Sequence, residues 1–428
     1  MKRTTGYADA ESDGQLLTLA TQALGNVLVF EYPADAVLSR FFREHHVLGR
    51  RDRSFVAEWV YGALRRLRWL HRLCGAGAMP RQLLLAWLAR GEGWPMRQFE
   101  GLVSDEEYQW VKALKAVELA EGSLAERADF PDWLCERLLA TYDKDALLRL
   151  AQSLNQPAPL DIRVNLLKTN RDAALGRLRK DKIDAAPCPL SPHGIRIVGK
   201  PTLQKYALFL DGSIEVQDEG SQLLGFLMQP KPGEFVVDFC AGAGGKTLQL
   251  GAMMRSKGRI YALDIAQKRL ARLRPRVARA GLSNVHPILI EHERDARLKR
   301  LAGKADRVLV DAPCSGLGTL RRNPDLKWRQ APDAIDEMVT RQKAILEAAA
   351  KLVRPGGRLV YATCSLLAEE NDAVVDAFLA SHPEFSPLSA QDILERQGIA
   401  AATDERLRLS PVVHGTDGFF AAVLARLA

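Results

Sequence analysis

With 428 residues, 47% of them hydrophobic and 26% charged, the chain is too long for one core and too apolar for disorder, so two or three domains are expected. No apolar run is long enough to cross a bilayer, and the opening MKRTTGYADAESDGQ has no apolar stretch after its two basic residues. A membrane protein is therefore excluded and a cytoplasmic one expected. The net charge of +8, from 60 basic and 52 acidic residues, suits a nucleic-acid partner without specifying one.

The next run, LLTLATQALGNVLVF, reads as an amphipathic first helix. In LGRRDRSFVAEWVYGALRRLRWLHRL, residues Phe55, Val56, Trp59, Val60, Leu64, Leu67 and Leu70 recur at helical spacing. Arg50, Arg51, Arg53, Arg65, Arg66, Arg68 and Arg72 fill the remaining positions with few acids nearby. They form either a solvated basic face or a phosphate-tracking surface. A second helical pattern, DFPDWLCERLLATYDKDALLRLAQSLN, closes an all-helical domain over residues 1–150.

Pro157 and Pro159 mark a boundary. Beyond it PLDIRVNLLKTN reads as a strand, RDAALGRLRK as a helix, and GIRIVG and LDGSIEVQD as further strands, so residues 151–225 form a small mixed α/β module. From Pro230-Lys231-Pro232-Gly233 onward, over residues 226–428, strands alternate with helices. EFVVDFC, RIYALDI, HPILIE, DRVLVDAP and GRLVYATC are near-continuous apolar runs, as in a parallel sheet covered on both faces. Pro355-Gly356-Gly357 is a turn that starts the fifth strand, and the closing GFFAAVLARL is read as a final edge strand. This is a class I, Rossmann-like α/β arrangement, with ligands beyond the carboxyl ends of its strands.

VVDFCAGAGGKT places a glycine-rich loop directly after the first of these strands. A phosphate-binding P-loop would need glycine five positions before Gly245, where Cys240 stands, and a dinucleotide fingerprint would need glycine at Thr247. What remains is a bare loop that opens a helix, with Asp264 at the end of the second strand to meet ribose hydroxyls. That pairing describes an adenosine site, and S-adenosylmethionine suits it.

Six cysteines, at 74, 135, 188, 240, 314 and 364, never occur as Cys-x-x-Cys, so no metal site and no disulfide framework is expected. Two of them stand out: Cys314 ends the fourth strand in DAPC, and Cys364 ends the fifth in ATCS. In a doubly wound sheet those strands are neighbours close to the first, so both thiols share the nucleotide edge. Methyl transfer to carbon 5 of a pyrimidine needs such a set. A thiolate added at carbon 6 turns an unreactive ring carbon into an enamine, an acid such as Asp311 stabilises the adduct, and a second thiol assists release. A nearby cation, for which Lys246 is the candidate, favours the thiolate.

DFCAGAGGKT, ALDI, DAPCSGLGTLRRNPDLKW and YATCSLLAEEN resemble, in that order, the Sun/Fmu-type (RsmB-like) RNA cytosine-5 methyltransferases, over roughly residues 215–428. The resemblance implies Cys364 as nucleophile and Cys314 as the residue that assists release. It also implies a cofactor site for S-adenosylmethionine lined by Cys240, Ala241, Gly242, Ala243, Gly244, Gly245, Lys246, Asp264 and Asp311. The family's loop usually reads Cys-Ala-Ala-Pro-Gly-Gly-Lys, and Gly242-Ala243 here replaces Ala-Pro. Of Glu291, Glu293 and Asp295, we take Asp295 as the acid that meets the adenine. Arg163 and Asn165 in IRVN, with Gln217 and Asp218 in VQDEGSQ, look like flanking family motifs, and the helical domain resembles a NusB-type RNA-binding domain. Arg163, Asn165, Arg321, Arg322, Lys327 and Trp328 are assigned to RNA, and the basic and aromatic residues just past Cys314, Arg329 among them, suit a flipped or single-stranded base. The implied substrate is 16S rRNA, with tRNA or a catalytically silent RNA-binding scaffold as alternatives, and the chain is expected to be a monomer.

Overall fold

The computed structural model describes residues 10–199 and 201–428; residues 1–9, the part of the opening stretch read for a leader, lie outside the described residues. The chain divides into two compact units. One comprises residues up to Gln156 together with Leu320–Ala331; the other comprises Pro157–Thr319 and Pro332–Ala428. No helix among the described residues is long and apolar enough to cross a membrane.

The first unit is helical. Leu16, Leu17, Ala20, Ala23, Leu24 and Val27 give the helix Ala10–Val27 one buried stripe. The long helix read around Trp59 is two, Arg50–Arg65 and Leu67–Cys74, because Arg66 leaves the helical region (φ −114°, ψ 25°). The second helical pattern also splits, into Asp132–Leu138 and Lys144–Leu154, the latter capped where Asp143 accepts from the Ala146 N–H at 2.7 Å.

Most of the arginines read as a basic face are committed within this unit. Arg66 pairs with the buried Asp129 at 2.8 Å, Arg68 with Asp132 at 2.8 Å and Arg72 with Glu126 at 3.4 Å. Arg65 donates to the Arg321 carbonyl at 3.0 Å, and burial pulls its guanidinium down to about 10. The offsetting acids come from a segment some sixty residues away in sequence, which a local reading of the helix cannot supply. Arg50 and Arg51 remain exposed.

The segment 320–331 belongs to the helices rather than to the sheet that its flanks build. Asp325 accepts from the Ala34 N–H at 3.1 Å, and the Trp328 indole donates to the Leu64 carbonyl at 3.1 Å. Lys327, 1% exposed, donates to the Arg65 carbonyl at 2.9 Å and to Asn155 Oδ1 at 3.0 Å.

The second unit holds two sheets. The smaller has strands β1 (Leu160–Val164), β2 (Ala185–Pro187), β3 (Gly194–Ile197) and β4 (Ile214–Val216), in the antiparallel order β2-β3-β1-β4. The larger has β5 (Phe235–Asp238), β6 (Arg259–Asp264), β7 (Val285–Leu289), β8 (Ala305–Asp311), β9 (Val353–Thr363), β10 (Phe385–Leu388), β11 (Leu407–Leu409) and β12 (Phe419–Arg426). Its order is β10-β12-β9-β8-β5-β6-β7, with β11 also paired to β12. The five strands β5 to β9 run parallel, as their apolar runs predict. The turn at Pro355-Gly356-Gly357 lies where β9 bulges away from β8: pairing jumps from Val353 to Arg358, and Gly356 has φ +72°.

The last strand corrects the sequence reading. β12 is not an edge. It lies between β10 and β9, antiparallel to both, and Phe419–Leu424 are all buried. Its unbroken apolar run, FFAAVL, is the signature of a strand covered on both faces.

Candidate active site

The carboxyl ends of β5, β6, β8 and β9 meet on one edge, since β8 pairs with both β5 and β9, and β5 with β6. After β5 the chain turns through Gly242 (φ +56°) and Gly244 (φ +86°) into the helix Gly245–Met253. A side chain at Gly242 or Gly245 would meet nothing within 4 Å, so the loop presents bare backbone to open space. Gly244 is closed instead, because a Cβ there would strike Leu273.

Asp264, ending β6, holds this loop. Its carboxylate accepts from the Gly242 N–H at 2.8 Å and from the Ala266 N–H at 2.7 Å. Asp238 accepts from the Thr247 hydroxyl at 2.6 Å, while its other oxygen is buried without a partner, and burial raises the carboxyl to about 7. An open glycine cradle beside an acid suits the adenosyl and amino-acid parts of S-adenosylmethionine.

Asp295 accepts from the backbone N–H groups of Glu291 at 2.9 Å and Arg297 at 2.8 Å, which hold its carboxyl below the usual range. It is the buried acid of the three candidates after β7, and it caps the turn Ala296–Leu301.

Lys246 and Asp311 form an ion pair at 2.7 Å. Burial opposes the ammonium, yet Asp311 beside it and the more distant Cys364 hold it above the ordinary lysine range. The two strand-end thiols lie together: Cys314 Sγ and Cys364 Sγ are 3.3 Å apart. The hydrogen bond to Cys364 and burial push the Cys314 thiol well up, and burial does the same for Cys240.

Three of the residues expected to meet RNA are buried here: Arg163, Asn165 and Lys327. Arg163 is 4% exposed, and its guanidinium donates to the Gln217 side chain and to the Gly245 carbonyl at 2.9 Å. Asn165 donates to the carbonyls of Gly212 at 3.0 Å and Ala280 at 2.9 Å. Both brace the glycine loop and its neighbours through these bonds, as buried donors with partners do. Lys327 is enclosed by the helical unit. Arg321, Arg322 and Trp328 are half-buried in that same unit.

The sequence reading missed Ser315, Ser365 and Glu370, all buried and hydrogen-bonded to one another. The available signal was a serine directly after each cysteine and an acid six residues beyond the second.

The family model described as 16S rRNA methyltransferase RsmB/F matches residues 225–425, and the RsmF/B-like ferredoxin-like domain matches residues 130–204. A probable ribosomal RNA small subunit methyltransferase B of Bacillus subtilis (strain 168) is 31% identical, covering 85% of this chain and 82% of its own length. One of the same description from Synechocystis is also 31% identical, covering 92% of this chain and 95% of its own. The crystal structure of a methyltransferase homolog protein from Pyrococcus horikoshii aligns with a TM-score of 0.61 at 29% identity, covering 71% of this chain and 98% of that one. On this sequence identity, spread over most of its length, the chain belongs to the RsmB/F family of methyltransferases.

Proposed function

We propose that this chain methylates carbon 5 of a cytosine in small-subunit ribosomal RNA through a covalent bond from Cys364 to carbon 6 of the base. The observation that carries the reading is the 3.3 Å separation of the Cys314 and Cys364 sulfurs beside the Lys246–Asp311 pair. S-adenosylmethionine, when bound, supplies the electrophilic methyl group. The names of the relatives, which specify ribosomal RNA of the small subunit, favour that substrate over tRNA.

The residues divide the work by their surroundings. Cys364, with the Lys246 ammonium nearby, forms its sulfur bond to carbon 6 as a thiolate, and the electron pair of the carbon 5–carbon 6 double bond moves to carbon 5. Asp311 serves the polar edge of the base, where it stabilises the charge that builds on the ring. After methylation the carbon 5 proton must leave, the double bond re-forms and the Cys364–carbon 6 bond breaks. Cys314 assists that elimination by donating its S–H proton to the departing Cys364 sulfur 3.3 Å away, while the carbon 5 proton passes to water. Its thiol is held protonated by burial and by its neighbour, so it is poorly suited to compete as nucleophile. Gly242 and Gly245 leave room for the cofactor, and Asp264 meets its ribose.

The two cysteines should therefore fail differently. Each variant is incubated with ribosomal RNA and S-adenosylmethionine and run on a denaturing gel. Cys364→Ala is expected to give neither methylation nor adduct, and Cys314→Ala to accumulate a denaturation-resistant protein–RNA adduct. An adduct from Cys364→Ala alone would reverse the roles, and full methylation by both variants would remove the cysteines from the chemistry.

A further inference from the structure

Each sulfur sits on its own strand end, so something must hold the two ends in register. Ser315 follows Cys314 and Ser365 follows Cys364. Both hydroxyls donate to the same oxygen, Glu370 Oε2, the first at 2.5 Å. The other oxygen, Oε1, accepts from the Ser315 N–H at 2.8 Å and from the Gln342 amide at 3.0 Å. Gln342 also donates to the carbonyl of Pro313 at 2.9 Å, so the Cys314 turn is gripped on both sides of the cysteine. Glu370 is itself anchored, because the Tyr361 hydroxyl donates to its backbone carbonyl at 2.7 Å.

Glu370 is fully buried and has no ion pair among the described residues, so four neutral donors converge on it. Burying a carboxylate without a cation is costly, and two facing serines could satisfy each other without it. What the carboxylate adds is a single acceptor shared by two loops. Both serine hydroxyls lie within hydrogen-bonding reach of Oε2, and their oxygens are 3.1 Å from each other, so the three oxygens form one cluster.

We propose that Glu370 is a positioning residue that sets the spacing of Cys314 and Cys364 by clasping the serine beside each of them. The inference rests on the two-cysteine reading above for its catalytic meaning, but not for its geometry. Loss of the clasp leaves both thiols and the cofactor loop in place and removes only their mutual alignment, on which proximity catalysis depends.

Two readouts test it, one of them independent of RNA. The rate at which diamide joins Cys314 to Cys364 in the RNA-free protein, followed by peptide mass mapping, reports the spacing of the sulfurs. Steady-state methylation reports its consequence. Glu370→Ala is expected to slow the disulfide at least fivefold and to lower kcat at least tenfold, with KM for S-adenosylmethionine within twofold of wild type. Glu370→Gln, which keeps an acceptor oxygen, is expected to recover part of both. Ser315→Ala, which leaves Glu370 and the fold intact, should fall between wild type and Glu370→Ala, and it carries the test if Glu370→Ala does not fold. Wild-type diamide rates in Glu370→Ala and Ser315→Ala would overturn the clasp, even with kcat lowered. If the wild-type protein methylates no cytosine while the diamide rates fall as expected, the clasp stands and the cytosine-5 reading fails.

Discussion

Lys246 and Asp311, from the loop after β5 and the end of β8, face each other at 2.7 Å across two neighbouring parallel strands. The pair joins the glycine loop to the strand that leads into Cys314. Neither partner is fully exposed, at 16% and 28% of the side chain, so the attraction is screened less than at an open surface. Removing one charge therefore affects both the loop and the end of β8.

Lys246→Met is expected to lower kcat by about 10²-fold, the size of effect typical of a charge that stabilises the transition state. Affinity for RNA should be unchanged, because Lys246 is largely buried in its pair with Asp311 rather than exposed on a basic face. Single-turnover methylation with saturating RNA separates the two, and an unchanged rate removes Lys246 from the mechanism.

Asp264→Ala removes an acceptor that holds the Gly242 N–H at 2.8 Å as well as the proposed ribose contact. Binding of S-adenosylmethionine should weaken by roughly 1–3 kcal/mol. Calorimetry checks this, and wild-type protein that takes ATP or NAD but not S-adenosylmethionine refutes the cofactor assignment.

Arg163→Met tests whether the buried guanidinium serves the glycine loop or RNA. Its 2.9 Å bond to the Gly245 carbonyl predicts weaker S-adenosylmethionine binding with an unchanged salt slope for RNA. A flattened salt slope, with cofactor affinity intact, would restore Arg163 to the RNA interface.

Lys327 makes the stability of the helical unit depend on pH. Burial lowers its ammonium from 10.5 to about 7. Between those values the unfolded chain carries one more proton than the folded one, so stability rises as pH increases through this window, and below about 7 the full penalty applies. The total is on the order of 5 kcal/mol. Urea unfolding of wild type and Lys327→Met should show a stability difference that grows in favour of wild type from pH 7 to pH 10. A pH-independent difference would mean that the buried lysine keeps its ordinary titration.

Arg50 and Arg51 are the exposed remainder of the basic face. Reversing both charges should weaken RNA binding and flatten its dependence on salt, without loss of helicity. Reversing Arg66 should instead destabilise the helices, since it leaves Asp129 buried without its 2.8 Å partner. Filter binding over a salt series, with circular dichroism on the same samples, distinguishes these effects.

The parallel strands and the positions of Cys314, Cys364, Asp264 and Asp311 were legible in the sequence because they depend on local rules. Apolar runs of strand length specify a sheet covered on both faces, and such a sheet gathers the residues at its carboxyl ends onto one edge. The place of β12 was not legible. An apolar run announces burial, but whether it joins an edge or enters between two strands depends on pairing far along the chain.

The roles of charged residues divided in the same way. By itself the sequence determined which residues carry charge and which carry thiols, and where each stands relative to its strand. Only the tertiary structure decided that Asp129 would neutralise Arg66, that Lys327 would be enclosed by helices and that Arg163 would brace the glycine loop. It also decided that one carboxylate, Glu370, would reach the serines after both cysteines. The physical reason is range. Periodicity and turn chemistry act over a few residues and can be read along the chain, whereas the partner of a charge is set by whichever segment the fold brings within hydrogen-bonding distance.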